Sequence, residues 1–160
     1  MQDEAVEPRP DPEDQHVVDT ARQALAAMRA GEDDGAVARV DRALAQEVML
    51  LLFHECSAMV AALGSGGTAP VKMQVVDNDG QEVSIDDADP PVRTAVRTLL
   101  AEVHGDTEAA RTHIEIALAN AAPEEMATLL VQALRWTLRL SDECATRDLP
   151  VADWIAEPPE

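Results

Sequence analysis

The sequence predicts a mainly α fold: about five helices forming two repeat-related αα-hairpins in a helical bundle, with one β-hairpin insertion. Three observations predict it. Apolar residues recur at helical spacing along most of the chain. Aromatic residues make up only 2% of the 160 positions, namely Phe53, Trp136 and Trp154. The core must therefore be built from Ala, Leu, Val, Ile and Met, which suit close helix packing. Finally, one glycine–acid–alanine pattern occurs twice. A chain of this length forms about one domain. It buries roughly two-thirds of its unfolded surface, so it needs no disulfide or metal to fold.

Residues 1–15 are acidic and proline-spaced, with Pro8, Pro10 and Pro12 among the acids. They read as a disordered tail, because little apolar surface is there to offset ordering. A single helical domain spans 16–149. Its first helix runs from Val17 to Ala30 on Val18, Ala21, Leu25 and Met28, and Gly31 ends it. Asp33 or Asp34 then caps a long second helix, Gly35 to Leu63. Around Val48–Phe53 this helix is apolar on every side, which places it centrally, under other helices or a second subunit. Met49, Leu50, Leu52 and Phe53 are thus candidates for a core or a homodimer interface.

Residues 64–70 read as a flexible linker. Residues 71–86 carry the strand signal: Val71, Met73 and Val75 alternate with polar residues, Asp79-Gly80 turns, and Val83 and Ile85 alternate again. Asp89-Pro90-Pro91 opens a third helix with Val92, Val96, Leu99, Leu100 and Val103 on its buried face. Gly105-Asp106-Thr107 leads into a fourth with Ala110, Ile114, Ala117 and Leu118. Pro123-Glu124-Glu125 begins a fifth. Residues 150–160 form a C-terminal tail, which Trp154 and Ile155 are placed to dock.

The duplication lies in the turns. Gly31-Glu32-Asp33-Asp34-Gly35-Ala36 parallels Gly105-Asp106-Thr107-Glu108-Ala109-Ala110. At the same offset Val40 matches Ile114, Asp41 matches Glu115, and Ala43-Leu44-Ala45 matches Ala117-Leu118-Ala119. The glycine leaves one helix left-handed, the acid caps the next, and small alanines let the two axes approach. Over about 14 residues per copy this spacing resembles the turn and second helix of a tetratricopeptide repeat. Gly105, Ala110, Ile114, Ala117 and Leu118 stand where that family has Gly, Ala, an apolar residue, Ala and Leu. The copies are not in tandem, and the helix before each turn lacks the family's large-residue pattern. The resemblance implies a protein-binding scaffold.

Charge narrows the function. Thirty-one acids against 12 Lys and Arg give a net charge of −19. Phosphate binding needs clustered Lys and Arg, so direct nucleic-acid binding is not expected, nor is an anionic membrane surface. A field of this sign favours a basic protein partner, or else serves only solubility. Asp77, Asp79, Glu82, Asp86, Asp87 and Asp89 lie between Met73 and Val92 without a Lys or Arg among them. They are the candidate partner-binding surface, against the simpler reading of a solvated turn.

No catalytic constellation emerges. Asp77–Asp86 only partly resembles a calcium loop, since its first position would be Val75 and its twelfth is not Glu. His54, Glu55 and Cys56 are consecutive on a helix and point apart. His113 is poorly spaced from Glu108 and Glu115. His104 suits a helix C-terminus. Gly64–Gly67 lacks a Lys-Ser/Thr signature and comes after a helix, so it is no phosphate cradle. No metal or cofactor is expected. Cys56 and Cys144 read as buried free thiols of a reducing cytoplasm. Met1–Glu13 has no apolar core of a signal peptide, and Val48–Phe53 is too short to span a bilayer.

The sequence thus leads to a non-enzymatic interaction module, a regulator, adaptor, inhibitor or chaperone, that presents acids to a basic partner. Two alternatives stay open. One is a small-molecule-binding or enzymatic helical domain with a site near His54, Cys56, His113 and Trp136. The other is a structural homodimerisation domain built on Val48–Phe53.

Overall fold

The computed structural model describes residues 12–64, 75–76, 81–84, 89–120 and 122–156. Among them are seven helices: α1 (Pro12–Arg29), α2 (Asp33–Ala38), α3 (Arg42–Leu63), α4 (Pro90–Val103), α5 (Thr107–Asn120), α6 (Pro123–Thr146) and α7 (Asp153–Ala156). The fold is mainly α. Residues 12–15 belong to α1 rather than to an acidic tail; a proline suits the first turn of a helix, where its missing N–H costs nothing.

α3 is the axis of the bundle. It packs against α6, α4, α1 and α5. Nine of its residues are buried, from Ala45 to Met59. Its length and hydropathy would suit a membrane span by composition alone; here it is a core helix covered by its neighbours. Phe53 is the largest fully buried side chain. It meets the edge of Trp136 of α6, with ring centroids 6.2 Å apart at 72°. Edge-to-face pairs of this kind add to what area burial alone contributes.

The long second helix expected over 35–63 is broken. α2 ends at Ala38, Val40 closes a tight turn onto the Val37 carbonyl at 3.1 Å, and Asp41 takes an extended conformation with ψ 139° before α3 starts. The local reason is composition. Gly35 weakens the first segment, and Asp favours cap conformations over helix interiors. The cap before α2 is Glu32, not Asp33 or Asp34, and it makes no side-chain cap bond.

Three helix ends use one device. At Gly31 the N–H reaches the Met28 carbonyl at 3.0 Å and the Glu32 N–H reaches Ala27 at 2.9 Å. At Gly105 the bonds run to Glu102 at 2.9 Å and from Asp106 to Ala101 at 2.8 Å. Both glycines are left-handed, with φ 80° and 78°, as this paired-bond C-cap requires. α6 ends the same way with Asp148 at φ 57°, which bonds Ala145, while Leu149 bonds Cys144. The two sequence copies therefore share a turn but differ in the helix after it. α5 runs unbroken through Ile114, whereas the first copy breaks at the matching Val40. The first copy thus gives the short α2 where the second gives the full α5.

Within 71–86, Val75–Val76 pairs antiparallel with Glu82–Val83, Val75 opposite Val83 and Val76 opposite Glu82. Residues 71–74, 77–80 and 85–86 of the expected hairpin, and residues 65–70 of the linker, lie outside the described residues. At the other end the chain is anchored. Ile155 of α7 is fully buried, its carbonyl accepts a hydrogen bond from Arg29, and α7 packs on α1 and α6.

Unfolding in urea tests these assignments. Gly31→Ala and Gly105→Ala are each expected to lose about 1 kcal/mol from left-handed strain, since open space surrounds both positions. Asp148→Gly is expected to gain stability by relieving the same strain. Phe53→Ala is expected to lose roughly 3–5 kcal/mol. A neutral Gly105→Ala would contradict the left-handed cap.

Candidate functional site

The sequence-predicted acidic surface falls mostly outside what can be described. Asp77, Asp79, Asp86 and Asp87 lie outside the described residues. Glu82 is placed by its backbone alone. Asp89 is exposed and precedes α4 as its cap residue. Met49, Leu50, Leu52 and Phe53 are buried within the single chain, all at 7% exposure or less. They form part of the core within one chain.

The structure gathers a site of which the sequence names only His54. A hollow of about 690 Å³ opens between α1, α3 and the α4–α5 turn. α1 lines it with His16, Val17 and Val18. α3 contributes Leu44, Glu47, Leu50, Leu51 and His54, with the small Ala43 at its edge. Glu102 enters from α4, and Thr107 and Arg111 from α5. The walls are mainly apolar and the polar groups are few, as in many ligand-binding clefts. A second hollow of about 340 Å³ shares His16 and Leu44 and continues past Thr20, Gln23 and Asp41 at the α2–α3 break.

Glu102 is the unusual residue. It lies in phase with Ala95, Thr98 and Leu99 on the buried stripe of α4, and its side chain is 2% exposed. The left-handed turn at Gly105 folds α5 back so that the Thr107 hydroxyl donates to Glu102 Oε1 at 3.0 Å. His54 Nδ1 stands 3.6 Å from Oε2, beyond ordinary hydrogen-bond length. His54 itself is 62% exposed at the rim. Beside it, Arg111 donates to Glu47 Oε2 at 3.0 Å. That carboxylate holds the Arg111 guanidinium above its ordinary pKa, and the pair ties α5 to α3. Glu55, the next residue after His54, has its pKa raised by burial, an effect its neighbour His54 partly offsets.

The four residues expected to surround a ligand site do not converge. His54 lines the hollow. Cys56 is fully buried, with Sγ 3.3 Å from the Thr137 hydroxyl of α6. Trp136 packs on Phe53. His113 is half-buried on α5 outside the hollow. Thr137 also donates to the Ala133 carbonyl at 2.8 Å, so the buried polar groups there satisfy one another. No group of three or more metal-ligating side chains occurs among the described residues.

No family model matches the chain, and no curated protein or solved structure is significantly similar to it.

Burial pushes the Cys56 thiol up from 9.0 to about 12, opposed in part by its hydrogen bond to Thr137. In the unfolded chain the thiol ionises first, so its contribution to stability is complete below pH 9 and is lost as pH rises toward 12. Thermal stability of the native chain is expected to fall more steeply over that window than that of Cys56→Ala. Ellman's reagent is expected to reach Cys56 only on unfolding. Fast native labelling of Cys56 would contradict its burial.

Proposed function

We propose that the chain is a non-enzymatic interaction module that binds a basic protein, as a regulator, adaptor, inhibitor or chaperone. The observation that carries this reading is the excess of 31 acids over 12 Lys and Arg. A single-signed field of that strength steers an oppositely charged partner and suppresses like-charged ones. Among the described residues Arg22 pairs with Asp19, Arg111 with Glu47 at the hollow, Arg135 of α6 with Asp33 of α2 at 2.8 Å, and Arg147 with Glu143. Each pair cancels one charge of either sign, so the net charge of −19 is carried by the acids outside such pairs.

In this reading residues 71–86 form a hairpin that, with the adjoining Asp87 and Asp89, carries Asp77, Asp79, Glu82 and Asp86 toward the partner. The antiparallel pairing of Val75–Val76 with Glu82–Val83 supports it. The matched glycine turns support a common origin for the two copies, the second of which kept an unbroken helix. Two buried thiols, Cys56 and Cys144, without a bond between them, suit the reducing cytoplasm we assign to the protein. A second reading, a small-molecule-binding domain, is favoured by one observation: the apolar hollow with Glu102 at its base.

Affinity capture from native lysate at low and high salt tests the electrostatic reading, with mass spectrometry of the captured proteins. A basic protein held at low salt and released at high salt is expected. A variant with Asp77, Asp79, Asp86, Asp87 and Asp89 changed to Asn and Glu82 to Gln is expected to retain less of it. Capture unaffected by salt and by that variant would contradict the proposal.

A further inference from the structure

We infer that the hollow between α1, α3 and the α4–α5 turn receives a short basic-apolar segment of the partner protein, with a Lys or Arg side chain on Glu102 and flanking aliphatic side chains against Leu44, Leu51 and Val18. The inference rests on the proposed binding of a basic protein and adds the place and the chemistry of contact.

Glu102 sets the first requirement. A carboxylate removed from water is costly unless it is paired and hydrogen-bonded. Glu102 holds one close bond, from Thr107 at 3.0 Å to Oε1. Its second oxygen faces His54 at 3.6 Å, too long for a hydrogen bond, from a ring that is mostly in solvent. A carboxylate has about four acceptor sites, so acceptor capacity remains on a group that lines an open hollow. The guanidinium that lines the same hollow makes its bond to Glu47 at 3.0 Å rather than to Glu102.

The continuing hollow has acids of its own. Asp19 is engaged by Arg22 at 3.3 Å, while Asp41 lines the second hollow together with Arg39. The apolar walls give the guest a second requirement. A small hydrophilic cation would satisfy Glu102 and leave Leu44, Leu51 and Val18 wet. A Lys or Arg within an aliphatic sequence satisfies both, since such side chains carry an apolar stem and a charged head. An acidic or phosphorylated guest would place its charge against Glu47 and Glu102 and is disfavoured.

Fluorescence anisotropy on the full chain tests this with three labelled peptides. One alternates Leu and Lys over about five residues, a length on the scale of the hollow. One replaces each Leu with Ser at the same charge, and one alternates Leu and Glu. The Leu/Lys peptide is expected to bind about tenfold more tightly than the Ser/Lys peptide, and the Leu/Glu peptide not to bind. Glu102→Gln is expected to weaken the Leu/Lys peptide about tenfold, in keeping with loss of a charge-assisted hydrogen bond. Should that variant fold poorly by circular dichroism, Ala43→Trp serves instead. Ala43 is exposed at the mouth of the hollow, and the indole is expected to block the peptide without touching the core. Equal binding of the two Lys peptides, unchanged by either variant, would overturn the hollow as the contact while leaving the acidic module standing. Failure of both Lys peptides to bind would overturn both readings. Tighter binding of the Leu/Glu peptide would reverse the sign of the guest and overturn the inference.

Discussion

The burial of α3 is the constraint on which the other elements depend. A chain with one phenylalanine and two tryptophans cannot fill its centre with large rings, so it surrounds one apolar helix with four others. Val48, Met49, Leu52 and Phe53 are fully buried, and they point to several sides because successive residues on a helix turn through about 100°. α6 covers the Phe53 and Cys56 side. α4, α5 and α1 cover the remainder, and α7 pins α1 to α6 through Ile155. Loosening α3 would therefore expose surface on every side at once.

The hollow is a consequence of the same arrangement. α1 and the α4–α5 turn both lie against α3, and between them they leave Leu44, Glu47 and Leu51 lining a gap. The turn at Gly105 sets the polar end of that gap, because its left-handed backbone brings Thr107 back to Glu102. One glycine thus links a helix end, a buried carboxylate and the wall of a cavity.

Much of the fold is legible in the sequence. The apolar stripes of α4 and α6, the proline starts at Pro90 and Pro123, and the glycine stops at Gly31 and Gly105 are local signals, and local physics decides them. The break between Ala38 and Arg42 is not, because apolar spacing continues through Val37, Val40 and Leu44 as though one helix ran on. Asp41 is the available sign, an acid suited to a cap, but nothing in its neighbours requires it to act as one. The third left-handed cap, at Asp148, escapes notice because the residue is not glycine. Glu102 is hidden among 31 acids. Its signal is phase: it stands three residues after Leu99 and seven after Ala95 on the apolar face. Phase cannot supply the partner, since Thr107 reaches Glu102 only once the chain has reversed.

Amide chemical-shift mapping during titration with the Leu/Lys peptide tests most directly whether an acidic helical bundle built on α3 receives a basic guest at the Glu102 hollow. Shifts centred on His54, Glu102, Thr107 and Arg111, and reaching Val18 and Leu44, are the predicted result. Shifts spread evenly over the acidic segments, with those six amides unmoved, would contradict it.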